Sequence, residues 1–285
     1  MTEPIKLSSP ATKEFWEIET LFEDDYLLAL NKPPGLLTSP DRYDLARPSL
    51  MNLLHAGIAD AKPWARVRGL TYLANAHRLD ADTSGVLLLA KTKPVLIALA
   101  DLFGNGKPLQ TSVALVHGGP PTETFEIDAK LAPHPTVPGL MRVDPVDGKR
   151  SLTRFEVRER FRGWTLLTCR SATARPHQVR AHLRHARLPI AGDRDYNGRI
   201  LLLSRIKPDF RLKPGKVERP LIDKTALHAE SLELTHPVSG APIKIIAPWP
   251  RVLNVAMKYL RKYDLPGGRA KLRQEEMADD APETS

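Results

Sequence analysis

The order of apolar and polar residues predicts several short strands. Residues 19–32 predict two strands around an acidic turn, and the prolines at 33 and 34 end the second because proline cannot donate to a strand ladder. The continuous apolar run 86–90 is typical of a buried strand. Alternation with a period of two over 151–170, interrupted by a glycine, predicts a hairpin, and 227–234 alternates as a further strand. A strand within 111–119, ended by the glycines at 118 and 119, and a strand of 124–131 complete this set.

A helical period appears in four other segments, each with a recognisable start signal. Ser49 and Thr92 are good N-caps, and Pro176 and Pro250 suit a first helical turn. The predicted helices cover residues 49–58, 92–104, 174–188 and 251–270. Residues 60–75 and the basic, proline-interrupted stretch 205–224 predict loops.

The two ends of the chain differ from its middle. Residues 1–17 predict an irregular arm, and residues 18–250 are expected to form the main part of the protein, as one large domain or two lobes. A C-terminal helix over 251–270 follows, and the acidic residues 271–285 have the composition of a disordered tail. Four segments are therefore expected, and the candidate functional residues lie in the second, residues 18–250.

Composition and charge narrow the class of partner. The 285 residues carry a formal net charge of +9 with 42% hydrophobic residues, and residues 141–220 hold 20 Lys and Arg against 8 Asp and Glu. This asymmetry favours a polyanion as partner, although a solvated basic face is the simpler alternative. Cys169 is the single cysteine, which excludes an intramolecular disulfide. No apolar run reaches the ~18 residues of a membrane span and the N-terminus lacks a signal pattern, so a cytoplasmic protein is expected.

A polar stretch around one acidic residue runs directly into the apolar run 86–90. Asp80 follows His77 and Arg78, two groups able to bind phosphate or ribose, and precedes the hydroxyls of Thr83 and Ser84. A carboxylate on a loop that a buried strand holds in place is a plausible catalytic group.

This stretch, HRLDADTSG, resembles the HRLDxxTSG signature of the RluA-like pseudouridine synthases. Further similar pieces occur in the family's order at 19–40, 173–182, 188–197 and 227–240. The resemblance implies an α+β fold, the pseudouridine synthase fold, with a mostly antiparallel mixed central sheet flanked by helices and loops. It implies RNA as substrate, ribosomal or transfer, with neither a metal nor an organic cofactor and with no obligate protein partner.

The resemblance also assigns roles to individual residues. It makes Asp80 the catalytic nucleophile, Arg175 its ion-pair partner, and Arg78 the group that fills the gap left by a flipped nucleotide. Its RNA- and uridine-binding set is His77, Arg78, Thr83, Ser84, Ser112, His177, Gln178 and Arg180. The alternatives are ordinary: turn hydroxyls, helix-surface charges, and side chains that bond the local backbone. His182 and His185 are three apart, but no cluster of further ligands accompanies them.

One departure from the family's pattern bears on activity. Ser112 stands where the family has a tyrosine that stacks on the uracil, and Gln110 stands where a lysine is usual. A base stacked on an aromatic ring is worth ~1 to 3 kcal/mol. The sequence therefore leaves two alternatives to the enzyme: a non-catalytic RNA-binding protein of the same fold, and a protein-interaction scaffold.

Overall fold

The computed structural model describes residues 3–41, 44 and 46–266. Its strands are β1 (Ile5–Ser8), β2 (Phe15–Ile18), β3 (Thr20–Glu23), β4 (Leu27–Lys32), β5 (Ala74–Asn75), β6 (Ser84–Ala90), β7 (Leu109–His117), β8 (Thr124–Asp128), β9 (Leu131–Pro133), β10 (Met141–Val143), β11 (Leu152–Arg160), β12 (Trp164–Ser171), β13 (Leu227–Thr235) and β14 (Pro242–Ile246). Its helices are α1 (Leu50–Ala59), α2 (Pro63–Val67), α3 (Lys93–Gly104), α4 (Gln178–His185) and α5 (Arg251–Tyr263). None of these helices is long and apolar enough to cross a membrane.

A ten-stranded sheet forms the centre of the molecule. Eight strands follow the order β3-β4-β6-β13-β7-β12-β11-β8, while β14 adds to β13 and β5 adds to β6. Among the strand pairs of the described residues, β6 and β13 alone run parallel, and all others are antiparallel. The expected α+β fold with a mostly antiparallel mixed sheet is confirmed.

The parallel pair is a narrow seam between two halves of this sheet. Only His228 with Ser84 and Ala229 with Gly85 are partners across it, and the Ser84 hydroxyl lies 2.9 Å from Nδ1 of His228. Gly85 has φ +113°, and a Cβ there would lie 2.1 Å from the carbonyl oxygen of Ala229. The seam therefore requires a glycine at the point where the Asp80 loop enters β6.

Separate apolar clusters support the two halves. In the C-terminal half, α4 and α5 pack onto β7 and β12, with Leu183, Leu253 and Met257 among the buried side chains. In the N-terminal half, α1 and α2 cover β4 and β6 together with β1.

Most of the predicted elements are confirmed. Helices α1 and α3 begin immediately after Ser49 and Thr92, whose side-chain oxygens accept hydrogen bonds from the backbone of the first turn. The hairpin of β11 and β12 and the strands of 19–32, 86–90 and 227–234 also form. Cap residues and period-two alternation were sufficient signals for these segments.

Four predictions about elements were wrong. The described part of the arm, residues 3–17, is not irregular, because β1 and β2 pair and bury Ile5. The loop 60–75 contains α2, and β14, which was not predicted, pairs with β13. The predicted helix 174–188 begins only at Gln178, since His177 takes a left-handed conformation with φ +51°. Helix α5 ends at Tyr263, and the tail 271–285 lies outside the described residues.

Candidate active site

The loop between β5 and β6 presents Asp80, and two preceding segments hold that loop in place. The Thr38 hydroxyl donates to the carbonyl of Leu79 and accepts from the Leu79 amide, at 2.8 and 3.2 Å. The Gly35 amide donates to the carbonyl of Ala81 at 2.9 Å. The Thr83 amide donates to the carbonyl of Asp80 itself at 3.1 Å, which closes a turn around the carboxylate. Asp80 thus lies on a loop whose backbone is fixed on both sides.

Lys32 is a third anchor of this loop and is fully buried. Its Nζ donates to the carbonyls of Pro33 and Ala81, both at 2.9 Å. Burial lowers the pKa of Lys32 from 10.5 to about 7, although Asp80 and Asp82 act in the opposite direction. The burial of Lys32 and its contacts with the Asp80 loop were not predicted from the sequence.

Arg180, on the first turn of α4, faces the Asp80 carboxylate. Its Nη1 lies 3.5 Å from Asp80 Oδ2. Its Nε and Nη2 donate to the two oxygens of Asp193 at 2.7 Å, and Nη2 also donates to Asp195 at 2.8 Å. Asp193 is fully buried, so the bidentate pair fixes the guanidinium plane and directs Nη1 towards Asp80.

The charge of Arg180 is well maintained. Burial of the guanidinium works against the charge, but the hydrogen bonds that it donates to Asp193 and Asp195, together with the negative charges of Asp193 and Asp80, outweigh burial and raise the pKa of Arg180. Its Cζ also lies 4.8 Å from the ring centroid of Tyr196. A permanent, immobile cation therefore stands beside the Asp80 carboxylate.

His177 and Tyr196 complete the surroundings of Asp80. His177 Nε2 lies 3.9 Å from Asp80 Oδ1, and its Nδ1 lies 3.0 Å from the Tyr196 hydroxyl, which accepts a hydrogen bond from the Met141 amide. Burial lowers the pKa of His177 against the opposing effect of Asp80, and burial raises the pKa of Tyr196 to about 12. Both side chains are thus favoured in their neutral forms at neutral pH. A cavity of about 270 Å³ opens beside Arg180, with Asp82 and Asp195 also in its wall.

The predicted ion pair between Arg175 and Asp80 does not form. Arg175 is exposed, lies before α4 begins, and donates from Nε to the carbonyl of Arg150 at 3.3 Å. The left-handed residue His177 turns the chain before the helix, so that Arg180 faces the carboxylate instead. The sequence thus predicted correctly that an arginine faces Asp80, but this arginine is Arg180 and not Arg175.

Three residues of the predicted RNA-binding set have structural contacts instead. His77 Nε2 accepts the Leu88 amide and its ring stacks on Phe103, and burial lowers its pKa to about 4. The buried Ser84 hydroxyl contacts His228 across the seam. The Gln178 amide bonds Thr173, Thr153 and the backbone at Leu152 and Arg175, which fixes the turn before α4.

The other members of that set have different surroundings. Arg78 is exposed and makes no hydrogen bond or ion pair within the part of the chain that the structure describes. Thr83 is buried, and its amide forms the turn at Asp80. Ser112 is half-buried in β7, directly opposite Ala229 on one side and Cys169 on the other. His182 contacts Thr153 and Ala129 through its two ring nitrogens, which leaves neither for a metal.

Lys32 provides a test that depends on pH. In the unfolded chain its pKa returns to about 10.5, so between pH 7 and 10.5 the unfolded state binds up to one proton more than the folded state. The free energy of unfolding should therefore rise with pH in this window, by up to about 1.4 kcal/mol per pH unit. Urea unfolding at pH 7, 8 and 9 should show this rise for the unmodified protein and not for Lys32→Met. Parallel pH profiles for the two proteins would contradict the burial of this amine.

Comparison with known proteins gives matches whose names all refer to pseudouridine or pseudouridylate synthases. A family model described as RNA pseudouridylate synthase matches residues 26–185. Ribosomal large subunit pseudouridine synthase D of Xanthomonas campestris pathovar campestris is 37% identical over 253 residues, which cover 86% of this chain and 70% of that protein. The protein of the same name from Xylella fastidiosa is 34% identical over 256 residues, with the same two shares. The solved structure of Human RNA Pseudouridylate Synthase Domain Containing 4 has a TM-score of 0.63 at 21% identity and covers 85% of this chain and 92% of that one, a likeness of fold.

Proposed function

The chain belongs to the RNA pseudouridylate synthase family, and on this premise we propose that Asp80 is the nucleophile with which it isomerises uridine in RNA. As an RNA pseudouridine synthase it is an isomerase. The reaction breaks the bond between N1 of uracil and the ribose, turns the base, and rejoins it through carbon 5. The carbon 5 proton is lost and N1 gains one, so atoms and electrons balance without an oxidant, and an ionised carboxylate supplies the electron pair.

One observation carries the proposal: the Asp80 carboxylate lies 3.5 Å from the fixed guanidinium of Arg180 while keeping 24% of its side chain exposed. A nearby cation stabilises the ionised form of a carboxylate, which is the nucleophilic form. The remaining exposure lets a flipped base reach it. The neutral His177 beside it adds no charge that would compete for the carboxylate.

Large-subunit ribosomal RNA is the proposed substrate. The first relatives are named ribosomal large subunit pseudouridine synthases, and the basic stretch 141–220 suits a polyanion of that size. Such a substrate agrees with the expected cytoplasmic location. The same evidence favours ribosomal over transfer RNA.

Mapping of pseudouridines tests the substrate. Large-subunit RNA from cells with and without this protein should differ at one or a few uridines, and the purified protein should restore them in an unmodified transcript. Small-subunit and transfer RNA from the same cells are the internal controls. A difference confined to transfer RNA would contradict the ribosomal assignment.

Ser112 offers a test of the missing aromatic platform. Gly85, Ala229, Ser112 and Cys169 are successive direct partners across four strands, so they share one sheet face on which the side chains are small. Because Ser112 is partly exposed on this face, Ser112→Tyr should add a stacking surface and raise the rate of pseudouridine formation by about 10 to 100-fold.

Two matched variants separate the effect of aromatic stacking from the effect of the tyrosine hydroxyl. Ser112→Ala should leave the rate unchanged, and Ser112→Phe should give the stacking part of the gain without the hydroxyl. A lower rate and lower stability of Ser112→Tyr would mean that another side chain already fills the position. Intact RNA binding without turnover by either the unmodified protein or Ser112→Tyr would favour the non-catalytic alternative.

A further inference from the structure

A second and larger cavity, of about 460 Å³, opens between the last turn of α4 and the hairpin of β9 and β10. We call it the hairpin pocket. Its walls include an apolar cluster in which Ala181 and Tyr196 pack against Leu140, Met141 and Val143. This volume lies within the range of about 300 to 1,000 Å³ that is usual for small-ligand sites.

The rim of the hairpin pocket is strongly basic. Arg142, Arg184 and Arg187 line it and are all exposed. Arg184 and Arg187 form no side-chain hydrogen bond or ion pair with the described residues. Among the described residues that line the pocket, Asp195 alone carries a carboxylate, and it is already bonded to Arg180. The guanidinium groups of Arg184 and Arg187 are therefore available to a ligand, and an anionic ligand would complement their charge.

The walls suit a planar group as well as an anion. The imidazole rings of His134 and His185 line the pocket together with the apolar cluster. Unstacked RNA bases pack on His and Arg side chains of this kind. Basic residues at a helix C-terminus also offset the helix dipole, but the dipole explains neither the cavity nor its apolar wall.

We propose that the hairpin pocket binds one unpaired nucleotide of the substrate RNA, with the base against the apolar wall and the phosphate at Arg184 and Arg187. This inference rests on the proposed function. Tyr196 belongs to the pocket wall, and its hydroxyl lies 3.0 Å from His177, whose other nitrogen lies 3.9 Å from Asp80. Only two side chains separate the pocket from the carboxylate, so the bound nucleotide is a close neighbour of the target uridine.

Photo-crosslinking to an unmodified transcript of large-subunit ribosomal RNA tests the location. Crosslinked peptides should include residues 134–143 or 181–197, identified by mass spectrometry of the full-length protein. Efficient crosslinking confined to other segments would overturn the pocket while leaving the proposed function intact. Absence of both RNA binding and turnover in the unmodified protein would overturn the proposed function, and the inference with it.

A double variant tests the two arginines. Arg184→Ala with Arg187→Ala should weaken binding of the transcript at least about tenfold at low salt and reduce the slope of log affinity against log salt by about two. Arg66→Ala with Arg251→Ala removes the same charge from two other exposed positions and should leave the slope unchanged. Equal losses in the two double variants would show that net charge, and not the pocket, is responsible.

Discussion

Asp80→Asn is expected to lower the rate of pseudouridine formation by at least about 10⁴-fold, because it replaces the carboxylate of the proposed nucleophile with an amide that cannot attack. The amide has nearly the same shape, and the loop is held by backbone and Thr38 contacts that do not involve the carboxylate. Folding and RNA affinity should therefore remain close to those of the unmodified protein. Single-turnover kinetics on the mapped RNA, with a urea melt and a binding isotherm, measure all three.

Asp82→Asn is the matched control for this prediction. Asp82 lies two residues away on the same loop and lines the adjoining cavity, but it forms no ion pair with Arg180 among the described residues. Its loss should reduce the rate far less than the loss of Asp80. A comparable rate for Asp80→Asn and the unmodified protein would exclude Asp80 as the nucleophile.

Arg180→Ala should damage both stability and activity. The buried Asp193 would lose its bidentate partner, and an uncompensated buried charge costs about 3 to 5 kcal/mol of folding free energy. Asp80 would lose its cation as well, and removing one fixed electrostatic contact typically costs about 10² to 10³ in rate. The two effects are separated by measuring the rate per folded molecule, with the folded fraction taken from circular dichroism.

Arg175→Ala is the decisive comparison for Arg180. Since the Arg175 side chain is exposed and bonds only the carbonyl of Arg150, its loss should change the stability by no more than about 0.5 kcal/mol. Arg180→Lys keeps the charge without the fork geometry and should lie between the two alanine variants in rate. A greater loss of rate per folded molecule in Arg175→Ala than in Arg180→Ala would restore the role that the sequence motif gave to Arg175.

The sequence was sufficient where the determining signal is local. Cap residues placed α1 and α3 within a residue of their observed starts, and the motif around Asp80 placed a carboxylate on a loop before a buried strand. It was insufficient for partners brought together by tertiary packing. Which arginine faces Asp80 depends on the left-handed backbone of His177 and on the docking of α4, neither of which has a signature in the residue pattern.

The burial of polar side chains was the other property that the residue pattern did not predict. A lysine at the end of a strand beside two prolines is ordinarily solvated, yet Lys32 is closed over by the Asp80 loop. Asp193 was missed for the same reason, since its role arises only from contact with Arg180. Buried polar groups of this kind can be recognised from sequence only when a partner is known.

The seam between β6 and β13 has a consequence for the order in which the molecule assembles. Its side-chain contact joins Ser84 and His228, which are 144 residues apart in sequence, so the middle strand of the sheet is among the last to be synthesised. Until β13 arrives, one edge of β7 is unpaired and β6 lacks its partners at Ser84 and Gly85. Such open edges are prone to pairing with other chains. Asp80 and Arg180 belong to the two halves that β13 joins, so on a growing chain their ion pair is complete only after this strand has been inserted.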